Sequence, residues 1–217
     1  MFIIYDLVFL VISVFYLPVY LFRRKFHRSF FSRLGILPRH LDLGRPIWIH
    51  AVSVGEAIMV RPLLDKLRRE FPDKRFVIST VTTTGNAIAR GTAGEKDLVT
   101  YLPLDFSFIV DKVIDKINPS LFIIAETELW PNLISQLHKR NVPVVIVNGR
   151  ISDASFRGYC AIRFLLGTFL NKVAGFLVQS ESDQTRLLAL GVKEDKVRVT
   201  GNMKFDHEKI TRSFALS

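Results

Sequence analysis

The chain has 217 residues, 49% of them hydrophobic, which is enough for one sizeable domain with a buried core and excludes a disordered chain. A single cysteine, Cys160, excludes a disulfide scaffold and fits a reducing, cytoplasmic setting; with no histidine pattern beside it, it reads as a core residue rather than a nucleophile. The formal net charge is +10, and residues 1–40 hold six Lys/Arg against one acid, Asp6.

Residues 1–22, "MFIIYDLVFLVISVFYLPVYLF", are almost entirely apolar. As a helix they would measure roughly 33 Å, about one hydrocarbon core, although Asp6 and Pro18 weaken a clean span. The positive charges follow the segment, and no small-residue cleavage site does, so it reads as a retained membrane anchor rather than a signal peptide. It either spans once, with the basic flank on the cytoplasmic side, or lies partly embedded with Tyr16 and Tyr20 near the interface. Arg23, Arg24, Lys25 and Arg28 directly after it read as membrane-facing and suit anionic lipid or a phosphorylated glycolipid better than nucleic acid.

Residues 23–46 read as a basic connector turning near Gly35 and Pro38, and a domain follows over 47–204. Seven apolar runs lie in it: "IWIHAV" (47–52), "RFVIST" (75–80), "LVTYL" (98–102), "SLFIIA" (120–125), "VPVVIVN" (142–148), "GFLVQS" (175–180) and "KVRVT" (196–200). They are continuous and β-branched rather than alternating, as strands buried on both faces are. Amphipathic stretches lie between them: Leu63, Leu64, Leu67 and Phe71; Ile109, Val110, Val113, Ile114 and Ile117; Leu133, Ile134 and Leu137. Pro62 predicts a helix start or a kink. Ser180 or Ser182 predicts an N-cap, and Gly191 a helix stop. This alternation predicts an α/β fold with a doubly wound parallel sheet, whose ligands bind beyond the carboxyl ends of the strands.

The loops after the strands are therefore where chemistry is sought. After the first comes "HAVSVGEA" (50–57): Ser53 and Gly55 keep the backbone open, and Glu56 is either a helix-start acid or a base. After the second, Thr82, Thr83, Thr84 and Gly85 offer hydroxyl and N–H groups for an anion or sugar, or simple capping. After the fourth, Glu126 and Glu128 stand beside Trp130, a pattern shared by sugar sites and helix caps. After the fifth, Arg150, Ser152 and Ser155 suit a phosphate or carboxylate. No G-x-G-x-x-G, no P-loop lysine and no metal-ligand spacing of the five histidines is present, and the 18 Phe read as core and membrane contact rather than a nucleic-acid platform.

Taken in order, "WIHAVSVGE", "TTTG", "YLPLD" (101–105), "ETELWPN", "NGRIS" and "GNMKFD" (201–206) resemble the 3-deoxy-D-manno-octulosonic acid (Kdo) transferases of lipopolysaccharide synthesis. The resemblance implies the Rossmann-like N-terminal acceptor domain of a GT-B glycosyltransferase, with a membrane anchor before it. It implies inverting, metal-independent transfer of Kdo from CMP-Kdo to a lipid A precursor, with no cofactor and no nucleic-acid partner. The setting it implies is the cytoplasmic face of the bacterial inner membrane. Glu56 falls at the position of the family's catalytic base, and Lys204 lies in the linker region near the site. Substrate contacts are expected from Ser53, Gly55, Thr83, Thr84, Gly85, Glu126, Glu128, Arg150, Ser152 and Lys204. Residues 205–217 read as the start of an interdomain linker, and the donor domain that binds CMP-Kdo is expected beyond Ser217 or on another chain. Two other expectations stand beside this one: an inactive, membrane-bound acceptor-binding fragment that needs a separate nucleotide-binding chain, and a GT-B transferase for another nucleotide sugar.

Overall fold

The computed structural model describes residues 5–7, 9–11, 13–15, 28–38 and 41–204. A short helix, α1 (Arg28–Arg33), leads into an alternating series. The series runs β1 (Ile47–His50), α2 (Val54–Met59), α3 (Arg61–Glu70), β2 (Phe76–Thr80), α4 (Thr83–Thr92), β3 (Leu98–Tyr101), α5 (Ser107–Ile117), β4 (Leu121–Ala125) and α6 (Pro131–Lys139). It continues with β5 (Val144–Gly149), α7 (Asp153–Ala161), α8 (Arg163–Leu170), β6 (Gly175–Val178), α9 (Glu181–Ala189), a 3₁₀ turn (Glu194–Lys196) and β7 (Val197–Val199).

All seven apolar runs become strands of one sheet, in the order β3-β2-β1-β4-β5-β6-β7, with every neighbouring pair parallel. The central strands β1 and β2 are buried along their whole length, which is why neither alternates polar with apolar residues. One core lies under α5, α6, α8 and α9 against Trp48, Phe122, Ile124, Ile146 and Phe176. The other lies under α2, α3 and α4 against Ile47, Ile49, Ile78 and Ile123. Each of the five apolar residues foreseen on α5 is buried, as are the three on α6.

Local signals behave as their chemistry requires. Val60, between α2 and α3, keeps helical dihedrals, and Pro62 sits in the first turn of α3, where its missing N–H costs nothing. Ser180 caps α9 by accepting from the Asp183 amide, and Gly191 ends that helix with φ +90°. The order reverses between β1 and β4, where the register sets His50 opposite Ile124. The crevice above that switch point is where such sheets bind ligands.

Two expectations are corrected, and a third falls mostly outside the described residues. Among the described residues no helix is long and apolar enough to cross a membrane, and much of the segment 1–22, where the anchor was foreseen, lies outside them. The described parts of that segment are helical, with Tyr5, Asp6, Phe9 and Ser13 half-buried. Cys160 is exposed rather than in the core: α7 buries none of its residues, and only Phe156 and Tyr159 turn partly inward. Within the stretch read as a connector, Leu37 and Leu43 are buried in the first core. Residues 23–25 of the basic run and the linker over 205–217 lie outside the described residues, as does the side chain of Arg28.

The crossing of α8 over the end of α9 depends on Gly167. A Cβ there would sit 2.9 Å from the Leu190 carbonyl oxygen and 3.7 Å from Gly191 Cα, both backbone atoms. Gly167→Ala should destabilise the fold by about 1–3 kcal/mol, lowering Tm by roughly 2–4 °C per kcal/mol for a chain of this size. An unchanged melting curve would contradict the crossing.

Candidate active site

The carboxyl ends of β2, β1, β4 and β5 stand side by side, so their loops converge. The loop after β1 is tied to the loop after β2: the Val81 and Thr82 amides both donate to the Val52 carbonyl, each at 3.2 Å. On the other side, the Glu126 amide donates to the Val147 carbonyl at 2.9 Å, and the Arg150 amide donates to Thr127 Oγ1 at 2.9 Å.

Glu56 lies in the first turn of α2, half-buried at this junction. Its Oε2 accepts from the Val52 amide at 2.7 Å, and its Oε1 accepts from the Ser53 hydroxyl at 2.9 Å. This is a variant of the capping box, with the acid reaching back to the residues before the helix. Ser53 is the N-cap, yet its hydroxyl orients Glu56 instead of accepting from the helix backbone. Both carboxylate oxygens are thus fixed, and each keeps a lone pair for another partner.

Burial pushes the Glu56 carboxyl above its ordinary value, opposed by the two hydrogen bonds and by Lys204 and reinforced by Glu126. A helix start favours an ionised carboxylate, yet burial leaves this one raised. Glu128 is likewise pushed up by burial and by the charges of Glu56 and Glu126, and Tyr159 is pushed up by burial and by Glu128. Three acids from two adjacent strand ends therefore share one field. Lys204 Nζ stands 3.6 Å from Glu126 Oε1 and supplies the opposing charge.

Two backbone irregularities hold this group together. Glu126 has φ +61° and Asn148 φ +54°, left-handed conformations that cost a residue with a Cβ about 1–3 kcal/mol and recur at functional sites. Buried Asn148 accepts from the Met203 amide at 3.0 Å, so the segment after β7 is fastened beside β5 and Lys204 is brought within reach of Glu126. Sequence reasoning missed Asn148 as an organiser and Tyr159 as a neighbour of Glu128. The Asn-Gly pair at the end of an apolar run, a signal for positive φ, identifies the first.

Other expected residues fall at the rim. Thr82, not Thr83 or Thr84, caps α4, accepting from the Gly85 amide at 3.0 Å; Thr83 and Thr84 are exposed next to the Glu56 loop. Gly85 is buried and acts sterically: a Cβ would lie 2.8 Å from Thr82 Oγ1 and 3.2 Å from the Ser53 carbonyl carbon. Gly55 is exposed and leaves the start of α2 open. Arg150 is exposed beside Thr127, while Ser152 caps α7 by accepting from the Ser155 amide.

Below the site, His50 is fully buried. Its Nδ1 lies 3.0 Å from both the carbonyl oxygen and the hydroxyl of Ser79, which also accepts from Trp48 Nε1 at 2.8 Å. Its ring meets Trp130 edge to face at 6.1 Å, and neither His50 Nε2 nor Trp130 Nε1 has a hydrogen-bond partner among the described residues. Burial holds His50 down to about 3, with Ser79 opposing and Arg33 reinforcing. No group of three His, Cys, Asp or Glu able to hold a metal occurs among the described residues.

Residues 28–207 match the family described as 3-deoxy-D-manno-octulosonic-acid transferase (kdotransferase). A 3-deoxy-D-manno-octulosonic acid transferase of Haemophilus influenzae is 39% identical over 160 residues, 74% of this chain and 38% of that protein. The transferase of that name from Chlamydophila psittaci is 33% identical over 203 residues, 91% of this chain and 47% of that protein. A bifunctional glycosyltransferase/methyltransferase of Fusobacterium nucleatum is 40% identical over 161 residues, 73% of this chain and 25% of that protein. The chain thus spans less than half the length of these relatives. Among solved structures, the S. aureus MnaA–UDP co-structure aligns with TM-score 0.55 at 17% identity, covering 76% of this chain and 47% of that one. UDP-GlcNAc 2-epimerase from Neisseria meningitidis bound to UDP-GlcNAc aligns with TM-score 0.53 at 14% identity, covering 79% and 52%. Those two likenesses carry the fold alone. The chain belongs to the Kdo transferase family of glycosyltransferases.

Two outcomes are expected from the geometry. Gly85→Ala should push the Ser53 loop away and destabilise the fold by about 1–3 kcal/mol, read as a lower Tm and as altered amide shifts at Val52 and Ser53; unchanged shifts would contradict the close approach. His50 should stay neutral at pH 5. Its folded value lies below the ordinary 6.5, so its contribution to stability is present above pH 6.5 and is lost as pH falls from 6.5 toward 3. An imidazole titrating near 6.5 by NMR would contradict its burial.

Proposed function

We propose that this chain is the acceptor-binding half of a GT-B enzyme that transfers Kdo from CMP-Kdo to a lipid A precursor, with inversion and without a metal, and that Glu56 is the general base. The single observation that carries the reading is Glu56 itself: a carboxylate at the switch point of the sheet, fixed through both oxygens and raised in affinity for protons by burial. A carboxylate whose proton affinity is raised is a better base than an ordinary one. It accepts the proton of the acceptor hydroxyl as that oxygen bonds to the anomeric carbon, while the anomeric carbon–oxygen bond breaks and CMP leaves as the phosphate anion.

The other residues have roles consistent with this chemistry. Ser53 and the Val52 amide orient the base. Lys204, exposed and only loosely paired with Glu126, is placed to meet an anionic group of donor or acceptor. Arg150, with Thr83 and Thr84 on the flanking rim, suits the acceptor's phosphates and hydroxyls. Glu126 and Glu128 bind sugar hydroxyls and keep the charge near Glu56 negative. The proposed setting is the cytoplasmic face of a bacterial inner membrane, with the basic run at Arg23, Arg24, Lys25 and Arg28 on anionic lipid.

A second reading is favoured by the length match: these 217 residues span 25–47% of the compared relatives. In that reading the chain binds acceptor but turns over only with a nucleotide-binding domain supplied from elsewhere. CMP release from CMP-Kdo with a lipid A precursor tests both. The chain alone should give no turnover, and the complete two-domain enzyme should. In the complete enzyme, Glu56→Gln should lower kcat by about 10²–10⁴ with acceptor binding retained. The acid limb of its pH–rate profile should also disappear. A variant with wild-type turnover would overturn the assignment of the base.

A further inference from the structure

Helix α7 follows β5 as other helices follow their strands, yet none of its residues is fully buried. Phe156 and Tyr159 turn partly inward, three residues apart and so on one face, and pack on the first core as Leu129 and Trp130 do. Phe156 is held in place from outside the helix. The Arg186 guanidinium lies over its ring at 5.9 Å, donates to the Ile151 carbonyl and pairs with Asp153. The approach to α7 is also tied to the loop after β4: the Arg150 amide donates at 2.9 Å to Thr127 Oγ1, and Thr127 stands between Glu126 and Glu128. These ties bring Tyr159 to Glu128, near enough for the carboxylate's charge to act on the phenol.

Tyr159 and Glu128 are both half-buried. Among the described residues neither the phenol hydroxyl nor the carboxylate has a hydrogen-bond partner. One is a donor and the other an acceptor, so together they complement a group that accepts and donates at once. An alcohol hydroxyl does both. A phosphate or carboxylate does not fit, because it would meet the joint field of Glu56, Glu126 and Glu128. An ammonium group has no lone pair to offer the phenol.

We infer that Tyr159 is a substrate-binding residue that reads a second hydroxyl of the acceptor sugar, donating to its oxygen while Glu128 accepts its hydrogen, so that the reacting hydroxyl is aimed at Glu56. Glu128 lies within the field of Glu56, so a sugar ring held by Glu128 and Tyr159 stands beside the base. Burial and the Glu128 charge both raise the proton affinity of the phenol, which keeps it a neutral donor at physiological pH. Arg157 on the same helix and Arg150 before it are exposed, so anionic groups of the acceptor find cations at the rim while its hydroxyls face the donor–acceptor pair.

The inference rests on the acceptor proposed above but not on catalysis, and its test reads binding by the chain as it is. Affinity for a lipid A precursor in detergent micelles is measured for the wild type and for Tyr159→Phe, which keeps the ring and removes only the hydroxyl. The variant should bind about 3–10-fold more weakly. Both proteins are then measured with precursor analogues that each lack one sugar hydroxyl. One analogue, lacking a hydroxyl other than the one that reacts, should bind the two proteins equally, because the analogue and the variant remove the same contact. An equal loss in Tyr159→Phe across every analogue would mark a merely structural residue and overturn the inference. Unchanged affinity of Tyr159→Phe for the intact precursor would overturn it while leaving the proposed acceptor in place. A wild-type chain that binds no precursor would overturn the proposed acceptor and the inference with it.

Discussion

The site depends on one arrangement: a glutamate carboxylate gripped by the backbone amide of Val52 and the hydroxyl of Ser53, at the point where the order of a parallel sheet reverses. Neither bond forms unless the chain turns sharply after β1, and that turn has room only because Gly85 lets α4 approach the Ser53 backbone. Burial raises the carboxyl, and the two bonds prevent the raised group from simply turning away. Position and proton affinity are therefore consequences of the same packing.

Charge around this group is distributed with little to spare. Glu126 pushes it toward holding its proton, as Glu56 and Glu126 do for Glu128; Lys204 pulls the other way on Glu56, and the lysine arrives only because Asn148 holds Met203. The strained positive φ at Glu126 and Asn148 falls at the ends of β4 and β5, the first two strands on the far side of the switch point from β1. An Asn tolerates that conformation better than most residues, whereas Glu126 is kept in it by its amide bond to Val147. A strand-end acid that could relax to extended backbone would not meet Lys204 in the same way.

Much of this was legible in the residues. The strands were readable because a doubly covered sheet demands uninterrupted apolar runs, and helix α5 because Ile109, Val110, Val113, Ile114 and Ile117 fall on one face. The loop "HAVSVGEA" drew attention to Glu56, but its proton affinity depends on burial by distant segments and could not be read from spacing. Asp6 was the opposite case. In sequence it is a flaw in a hydrophobic helix; in three dimensions it meets Ser107 and Asn132, more than a hundred residues away. Cys160 was misplaced for a related reason: α7 follows a strand like its neighbours but buries none of its residues. Local pattern reports what a segment prefers, not which segments finally cover it.

The account stands on the proposal that Glu56 is a half-buried base rather than a surface helix-start acid. Titration of its side-chain carboxyl by carbon-detected NMR, assigned by comparison with Glu56→Gln, tests this without substrate or a second domain. The arrangement predicts a midpoint above the ordinary glutamate value of 4.5 that moves further upward when Lys204 is replaced by Met. A midpoint at or below 4.5, unmoved by that replacement, would contradict it.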